Sequence, residues 1–326
     1  MTARQAQPVL VIGASGLVGR RLVQSLLAQG RRVRCLARDP ARVADLAASG
    51  CEVERGDIVD PAAVQRAMAG VGAVLVTIHT LSPQPGGGKQ ARFMDIEGCG
   101  IDNVIAAARA ADCRRVIYVT SLGIAPDAPG EWLRERWRIE QRLLDSGLDA
   151  TVIRPGHIVG IGGQGFDTVL TQARRRVAAT MVGDRPLFRT IALDDLVDDI
   201  LGVQDEPRAY GQRLDVGSDD VLSVNRMIDI VADVLGRPPP AKLRIPRVLL
   251  RAMAPLAGRM AGMPRGAFAG FVDAIAADSI GDPSLIRSIL PRARLGFRDS
   301  VERALETRNS PEAVGQPSAG PSRTLS

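Results

Sequence analysis

The stretch "PVLVIGASGLVGRRLVQSLLAQG" (residues 8–30) decides the fold. It opens as a short apolar run rich in β-branched residues, the composition of a strand buried on both faces. It closes as an amphipathic helix ended by Gly30. Between the two stand Gly13, Gly16 and Gly19. Gly13 permits a tight turn out of the strand, Gly16 lets the backbone approach a pyrophosphate, and Gly19 allows close packing of the helix. Ser15, Leu17 and Val18 complete the turn, and the helix start offers free N–H groups and a positive dipole end to an anion. A glycine-rich turn alone is a weak sign. Set after a strand, before a helix and at the head of a series, it reads as a dinucleotide site rather than a merely structural turn.

The series follows directly. "RRVRCLA" (31–37), "CEVERGD" (51–57), "GAVLVTI" (72–78), "RRVIYVTS" (114–121) and "DATVIRP" (149–155) read as strands. Helical segments separate them, including a long one over about 91–111 and another over about 131–146. Continuous apolar strands alternating with helices predict an α/β protein with a doubly wound parallel sheet. After Pro155 the rhythm breaks into a flexible loop "GIGGQG" (160–165), a basic helix over 167–178, a strand end running into "LDDLVDD" and a further strand "QRLDVGS". From 223 onward the chain is mainly helical. The expected organisation is a nucleotide-binding domain over 1–160 that takes back 185–220, a smaller, mainly helical C-terminal lobe over 161–184 and 221–306, and a disordered Pro/Ser/Gly-rich tail over 307–326.

Composition narrows the function classes. No secretory signal and no uncharged apolar run of about 18 residues is present, so a transmembrane helix is not expected. Cys35, Cys51, Cys99 and Cys113 have neither zinc-site nor disulfide-framework spacing, and a reducing cytoplasm fits them. The net charge of +6 comes almost wholly from arginine, lysine occurring only at 89 and 242. With aromatics at 3%, base-stacking platforms are lacking, and no nucleic-acid partner is expected. "RIPRVLLRAMAPLAGRMAGM" (244–263) is basic and amphipathic. It could meet a membrane surface or a protein partner, or serve as a wall of the lobe interrupted by Pro255.

The end of the second strand selects the nucleotide. An acidic residue there would hold both ribose hydroxyls of NAD; this chain has Ala37 and then Arg38, whose guanidinium suits the 2′-phosphate of NADP. Asp39, one residue on, keeps NAD open. Asp57 and Ile58 stand where an adenine could rest, with shaping of the turn as the alternative for Asp57. Thr77, Ile78 and His79 would lie toward the ribose and nicotinamide side.

Taken with "DIEGCGIDNVIAAARAADCRRVIYVTSLG" (95–123), "LLDSGLDATVIRPGHIVG" (143–160) and "LDVGSDDVLSVNRMIDIVADVLGRP" (214–238), the chain resembles the extended and atypical short-chain dehydrogenase/reductase superfamily. Within it the chain is similar to NmrA-like proteins and to the NAD(P)-binding accessory-subunit family of respiratory complex I. The resemblance implies a Rossmann domain, with Pro155 and Gly156 beside the nicotinamide. It also implies a Ser or Thr after the fifth strand, met by Ser121, and a Tyr-x-x-x-Lys pair on the following helix. At those two positions stand Trp132 and Arg136. The only tyrosines, Tyr118 and Tyr210, have no lysine four residues on. Indole cannot supply an acidic proton, whereas Arg136 can clamp a ribose or polarise a carbonyl. His157 is the remaining titratable candidate, with plain packing against its loop as the alternative. The expectation is an NADP-dependent oxidoreductase that reduces a small hydrophobic carbonyl or enone substrate with Ser121, Arg136 and His157, and that has no metal. The alternative is a non-catalytic NAD(P)-binding sensor or accessory subunit.

Overall fold

The computed structural model describes residues 7–78, 93–180, 184–245, 252, 272 and 275–309; His79, most of 246–263 and the tail beyond 309 lie outside them. In chain order the first half runs β1 (Val9–Ile12), α1 (Leu17–Ala28), β2 (Val33–Ala37), α2 (Ala44–Ala48), β3 (Glu52–Arg55), α3 (Pro61–Met68), β4 (Ala73–Val76), α4 (Phe93–Ala110), β5 (Arg115–Val119), α5 (Glu131–Leu144) and β6 (Asp149–Pro155). The second half runs β7 (His157–Val159), α6 (Gln164–Ala173), β8 (Val177–Thr180), β9 (Leu187–Ala192), α7 (Leu193–Gly202), β10 (Gln212–Val216), β11 (Val221–Ser223), α8 (Val224–Val234), β12 (Ala241–Arg244), α9 (Ser284–Ile289) and α10 (Phe297–Asn309).

Seven strands form one sheet in the order β10-β6-β5-β4-β1-β2-β3, every pairing parallel. The order reverses at β1, which lies between β2 and β4. In such a sheet ligands gather outside the carboxyl ends of the strands at the reversal. Both faces are covered, which is why β1 and β4 are apolar at every position. Leu22, Val23 and Leu26 of α1 and Leu196, Val197 and Ile200 of α7 bury one face. Val64 and Met68 of α3, Ile101 and Val104 of α4, and Ile139 and Leu143 of α5 bury the other. Helix starts follow local rules: Asp60 caps α3 by accepting from Ala62 N at 3.0 Å with Pro61 in the first position, and Ser223 caps α8 by accepting from Arg226 N at 3.2 Å.

The lobe has its own core, in which Phe166, Val169 and Leu170 of α6 meet Met227, Ile228 and Val231 of α8 and Phe297 and Val301 of α10. It also holds two small sheets, β11-β9-β7 and β12-β8. The basic helix expected over 167–178 ends at Ala173, and Val177–Thr180 pairs in parallel with β12 instead. A four-residue strand whose partner lies some sixty residues away leaves no local period to read. Among the described residues no helix is long and apolar enough to cross a membrane.

Two buried charge systems tie distant segments together. Arg115, fully buried in β5, donates to the main-chain carbonyls of Gln204 at 2.6 Å, Val203 at 2.8 Å and Asp149 at 2.6 Å, and to Thr151 Oγ1 at 2.9 Å. Its guanidinium lies 4.6 Å from the centre of the Tyr210 ring. In α7 the acids of "LDDLVDD" do more than favour the helix dipole. Asp195 and Asp199 are buried and receive Arg292 and Arg294 from the segment between α9 and α10, with Asp199 to Arg294 Nη2 at 2.8 Å and Asp195 Oδ1 to Arg292 Nη1 at 2.7 Å. Removing one partner of such a pair strands the other charge, so Asp199→Ala is expected to lower the unfolding free energy by about 3–5 kcal/mol in urea denaturation followed by circular dichroism. An unchanged midpoint would show that the clasp contributes nothing to stability.

Candidate functional site

The glycine turn leaves β1 at the sheet's reversal point. Gly13 has φ 100°, a conformation strained for any side chain, and its amide oxygen accepts from Gly16 N at 2.9 Å. A Cβ on Gly19 would stand 2.3 Å from that oxygen and 2.7 Å from Thr77 Oγ1, so α1 can lie this close to the turn only with glycine there. Thr77 forms the floor of the turn, donating to the Ile12 carbonyl through its main-chain N at 2.8 Å and its hydroxyl at 3.2 Å. Gly16, exposed, is the N-cap residue of α1 and offers no side chain to the first-turn N–H groups. Leu17 is half-buried against the glycine loop at 160–163, and Ser15 and Val18 are half-buried beside it. An open helix start with backbone donors, cleared of side chains at 13, 16 and 19, fits a pyrophosphate.

Beyond β2, Arg38 is exposed and in no ion pair among the described residues. Asp39 is engaged elsewhere: its Oδ1 accepts from Ala41 N at 3.1 Å and caps the short helical turn Pro40–Val43. Asp57, half-buried, accepts from Val59 N at 3.3 Å and shapes its turn. The side chain of Ile58 goes into the core, 6% exposed and against Gly100 of α4, while Asn103 Nδ2 donates to its carbonyl at 2.9 Å. Ile78 is half-buried against the same core, and His79 lies outside the described residues.

At the ends of β5 and β6 the side chains divide. Thr120 turns inward and donates to Glu140 Oε1 at 2.7 Å, while Ser121 is only half-buried. Arg136 is fully buried. Its Nε donates to Glu97 Oε1 at 2.8 Å, its Nη1 reaches Ser121 Oγ at 3.5 Å, its Nη2 is enclosed without a hydrogen-bond partner, and the guanidinium lies 4.7 Å from the centre of the Trp132 ring. Burial opposes its charge most strongly, but Glu97, Tyr118 and Glu140 together raise its pKa, so it stays a cation. Enclosed in this way, Arg136 has no open path to a ribose, and its reach is to Ser121. Tyr118 donates its hydroxyl to Glu97, and burial together with that carboxylate raises its pKa well above the usual phenol, which removes it as a proton source. Pro155 is buried. Gly156 N donates to Val216 O at 2.9 Å, and a Cβ on Gly156 would stand 2.3 Å from the Arg189 carbonyl oxygen.

His157 packs against Gly165, where a Cβ would come within 2.9 Å of its Cε1, and its Nε2 is enclosed without a partner. Burial lowers its pKa from 6.5 to about 4. The ring is uncharged near neutral pH.

Two functional carboxylates escaped the sequence reading, Glu97 and Glu140. Glu140 is buried and also receives Arg154 Nε at 3.1 Å and Arg213 Nε at 3.1 Å. Its signal was present. Trp132, Leu133, Arg136, Ile139, Glu140 and Leu143 form one buried stripe of α5, and a charge standing on an apolar stripe marks an internal ion pair. No group of three His, Cys, Asp or Glu is placed to hold a metal among the described residues.

A family profile described as NAD(P)H-binding matches residues 13–183. The NAD(P)H azoreductase of Xenophilus azovorans is 30% identical over 151 residues, 45% of this chain and 47% of that protein. The photosystem II assembly factor Ycf39 of Cyanophora paradoxa is 30% identical over 165 residues, 50% of each. The chain thus spans about half the length of these two relatives. The solved NADPH-dependent quinone oxidoreductase QOR2 from Escherichia coli, in complex with NADPH, superposes with a TM-score of 0.70 at 19% identity, over 91% of this chain and 99% of that one, and shares the fold.

Between pH 6.5 and about 4 an unfolded chain binds a proton that the native His157 refuses, so native stability falls as the pH drops through this window. His157→Gln is expected to lose less stability than the parent over the same range, read from urea midpoints at stepped pH. Parallel loss in both proteins would show that the ring is not held neutral.

Proposed function

The chain belongs to the NAD(P)H-binding family, within the atypical short-chain dehydrogenase/reductase and NmrA-like superfamily, and on that premise we propose that it is an NADP-dependent reductase of small hydrophobic carbonyl or enone compounds. The observation that carries the nucleotide preference is the division at the end of β2: Arg38 is exposed and in no ion pair among the described residues, while the carboxylate of Asp39 is spent on Ala41 N. A free guanidinium attracts a 2′-phosphate, and a carboxylate already engaged as a cap is a poor holder of ribose hydroxyls. Backbone N–H groups around Ser15, Gly16, Leu17, Val18 and Gly19 would hold the pyrophosphate. Asp57 would lie toward the adenine, and Thr77, Ile78, Pro155 and Gly156 toward the nicotinamide. Bound there, the reduced nicotinamide would supply a hydride.

The rest is the work of the chain's own side chains. Arginine only donates, so Ser121 Oγ accepts from Arg136 and keeps its own proton for a substrate oxygen. The buried cation behind it stabilises negative charge growing on that oxygen. Glu97 fixes the plane of the guanidinium. Water completes the protonation. Names among the relatives and structures, an azoreductase and a quinone oxidoreductase, support an electron-poor unsaturated substrate. We place the protein in a reducing cytoplasm, which suits its four free thiols.

A second reading, cofactor binding without turnover in an assembly role, is favoured by Trp132 and Arg136 at the Tyr and Lys positions and by the likeness to Ycf39. One experiment separates the two. Fluorescence of Trp132 and Trp137, both on α5, is titrated with NADPH and with NADH, and NADPH oxidation is then followed against a panel of carbonyls, enones and quinones. NADPH is expected to bind at least about tenfold more tightly than NADH, Arg38→Ala to erase that preference, and Ser121→Ala to lower kcat/KM by about 10²-fold. Equal binding of both nucleotides would remove the NADP reading. Turnover indifferent to Ser121→Ala would remove the catalytic roles, and tight NADPH binding with no turnover on any compound would establish the second reading.

A further inference from the structure

The two-stranded sheet of the lobe has an inverted surface. Strand alternation puts Val177 and Ala179 of β8 on one face with Ala241 and Leu243 of β12, paired as Val177↔Ala241 and Ala179↔Leu243. That face is the outer one, with Val177 52% and Leu243 58% exposed, Ala241 exposed and Ala179 half-buried. The opposite face turns inward: Ala178 and Thr180 are buried, and Lys242 Nζ bonds Asp229 of α8 and the Pro240 carbonyl. A half-exposed sheet ordinarily shows polar side chains to water. Here all four outward side chains are aliphatic.

Charge surrounds this face with one sign. Arg174, Arg175 and Arg176 lead directly into β8, Arg237 precedes β12 and Arg244 ends it; all five are exposed, and none is in an ion pair among the described residues. The pairing of β8 with β12 also joins two acid-free stretches of sequence. Residues 168–180 and 234–245 together hold six of the chain's 42 Lys and Arg and none of its 36 Asp and Glu. The rest of the chain is therefore neutral, and the whole positive excess belongs to these stretches.

We propose that this face docks on an anionic lipid surface, with Val177 and Leu243 entering the headgroup boundary and Arg174, Arg175, Arg176 and Arg237 meeting the lipid phosphates. Aliphatic tips ringed by arginine suit that surface, since apolar burial and attraction to anionic headgroups add. A second copy of the chain on the same face would set like charges against each other. A nucleic acid would find no stacking ring and no polar side chain on the flat aliphatic centre.

The test is flotation of the full-length protein with phosphatidylcholine vesicles, either pure or containing one-third phosphatidylglycerol. The protein is expected to float with the mixed vesicles and not with the pure ones, and to come off as salt is raised. The triple substitution Arg174→Glu, Arg175→Glu, Arg176→Glu and the double substitution Val177→Ser, Leu243→Ser are each expected to weaken binding at least about tenfold with an unchanged thermal midpoint. Should a variant fail to fold, the salt series on the parent protein decides. The proposal is overturned by absence of parent binding to the mixed vesicles, by salt-insensitive binding, or by binding that survives the double substitution. Duplex DNA that binds as tightly and is equally indifferent to Val177 and Leu243 would also overturn it.

Discussion

A single missing carbon at residue 19 sets the geometry of the cofactor end. With a Cβ there, 2.3 Å from the Gly13 carbonyl oxygen, α1 could not rest on the turn that leaves β1. Because it does rest there, its uncapped first turn lies at the point where the strand order reverses, with Thr77 of the neighbouring strand end closing the floor. Leu17, carried on the same turn, packs under the loop at 160–163 and couples the start of the helix to the entrance of the lobe. One close approach thus places an uncapped helix end, its floor and its roof together.

The other half of the cleft is organised by two buried carboxylates. Glu140 is met by Thr120, Arg154 and Arg213; Glu97 is met by Arg136 and Tyr118. Each carboxylate would be costly in the interior without those donors, and each arginine would be costly without its carboxylate. The result is an electrostatic frame that draws Thr120 inward and leaves the neighbouring Ser121 half-buried. The frame replaces flexible positioning: Arg136 reaches the site through Ser121, held in plane by Glu97 and stacked beside Trp132.

The parallel sheet was readable because its strands are short, apolar and separated by helices of clear period, and because Gly13, Gly16 and Gly19 have a purely local meaning. Asp60 and Ser223 capped helices where helix-start rules place them. What stayed hidden depends on partners far along the chain. The pairing of β8 with β12 spans some sixty residues, and the small sheets have no period of their own. Nothing local to Ile58 tells of its contact with Gly100 of α4. Asp39 reads as a ribose holder until its turn is seen to claim it, and a histidine in a loop says nothing of the enclosure that keeps it neutral.

Arg115 and the clasp on α7 bury charge by opposite strategies, with opposite consequences for how the sequence can drift. In the clasp, side chain meets side chain, so Asp195, Asp199, Arg292 and Arg294 constrain one another mutually. Arg115 reads mostly main-chain oxygens, those of Asp149, Val203 and Gln204. Every amino acid supplies that carbonyl, so these three bonds make no demand on the side chains that carry them, whereas Thr151 Oγ1 and the Tyr210 ring tie the arginine to the identity of its neighbours.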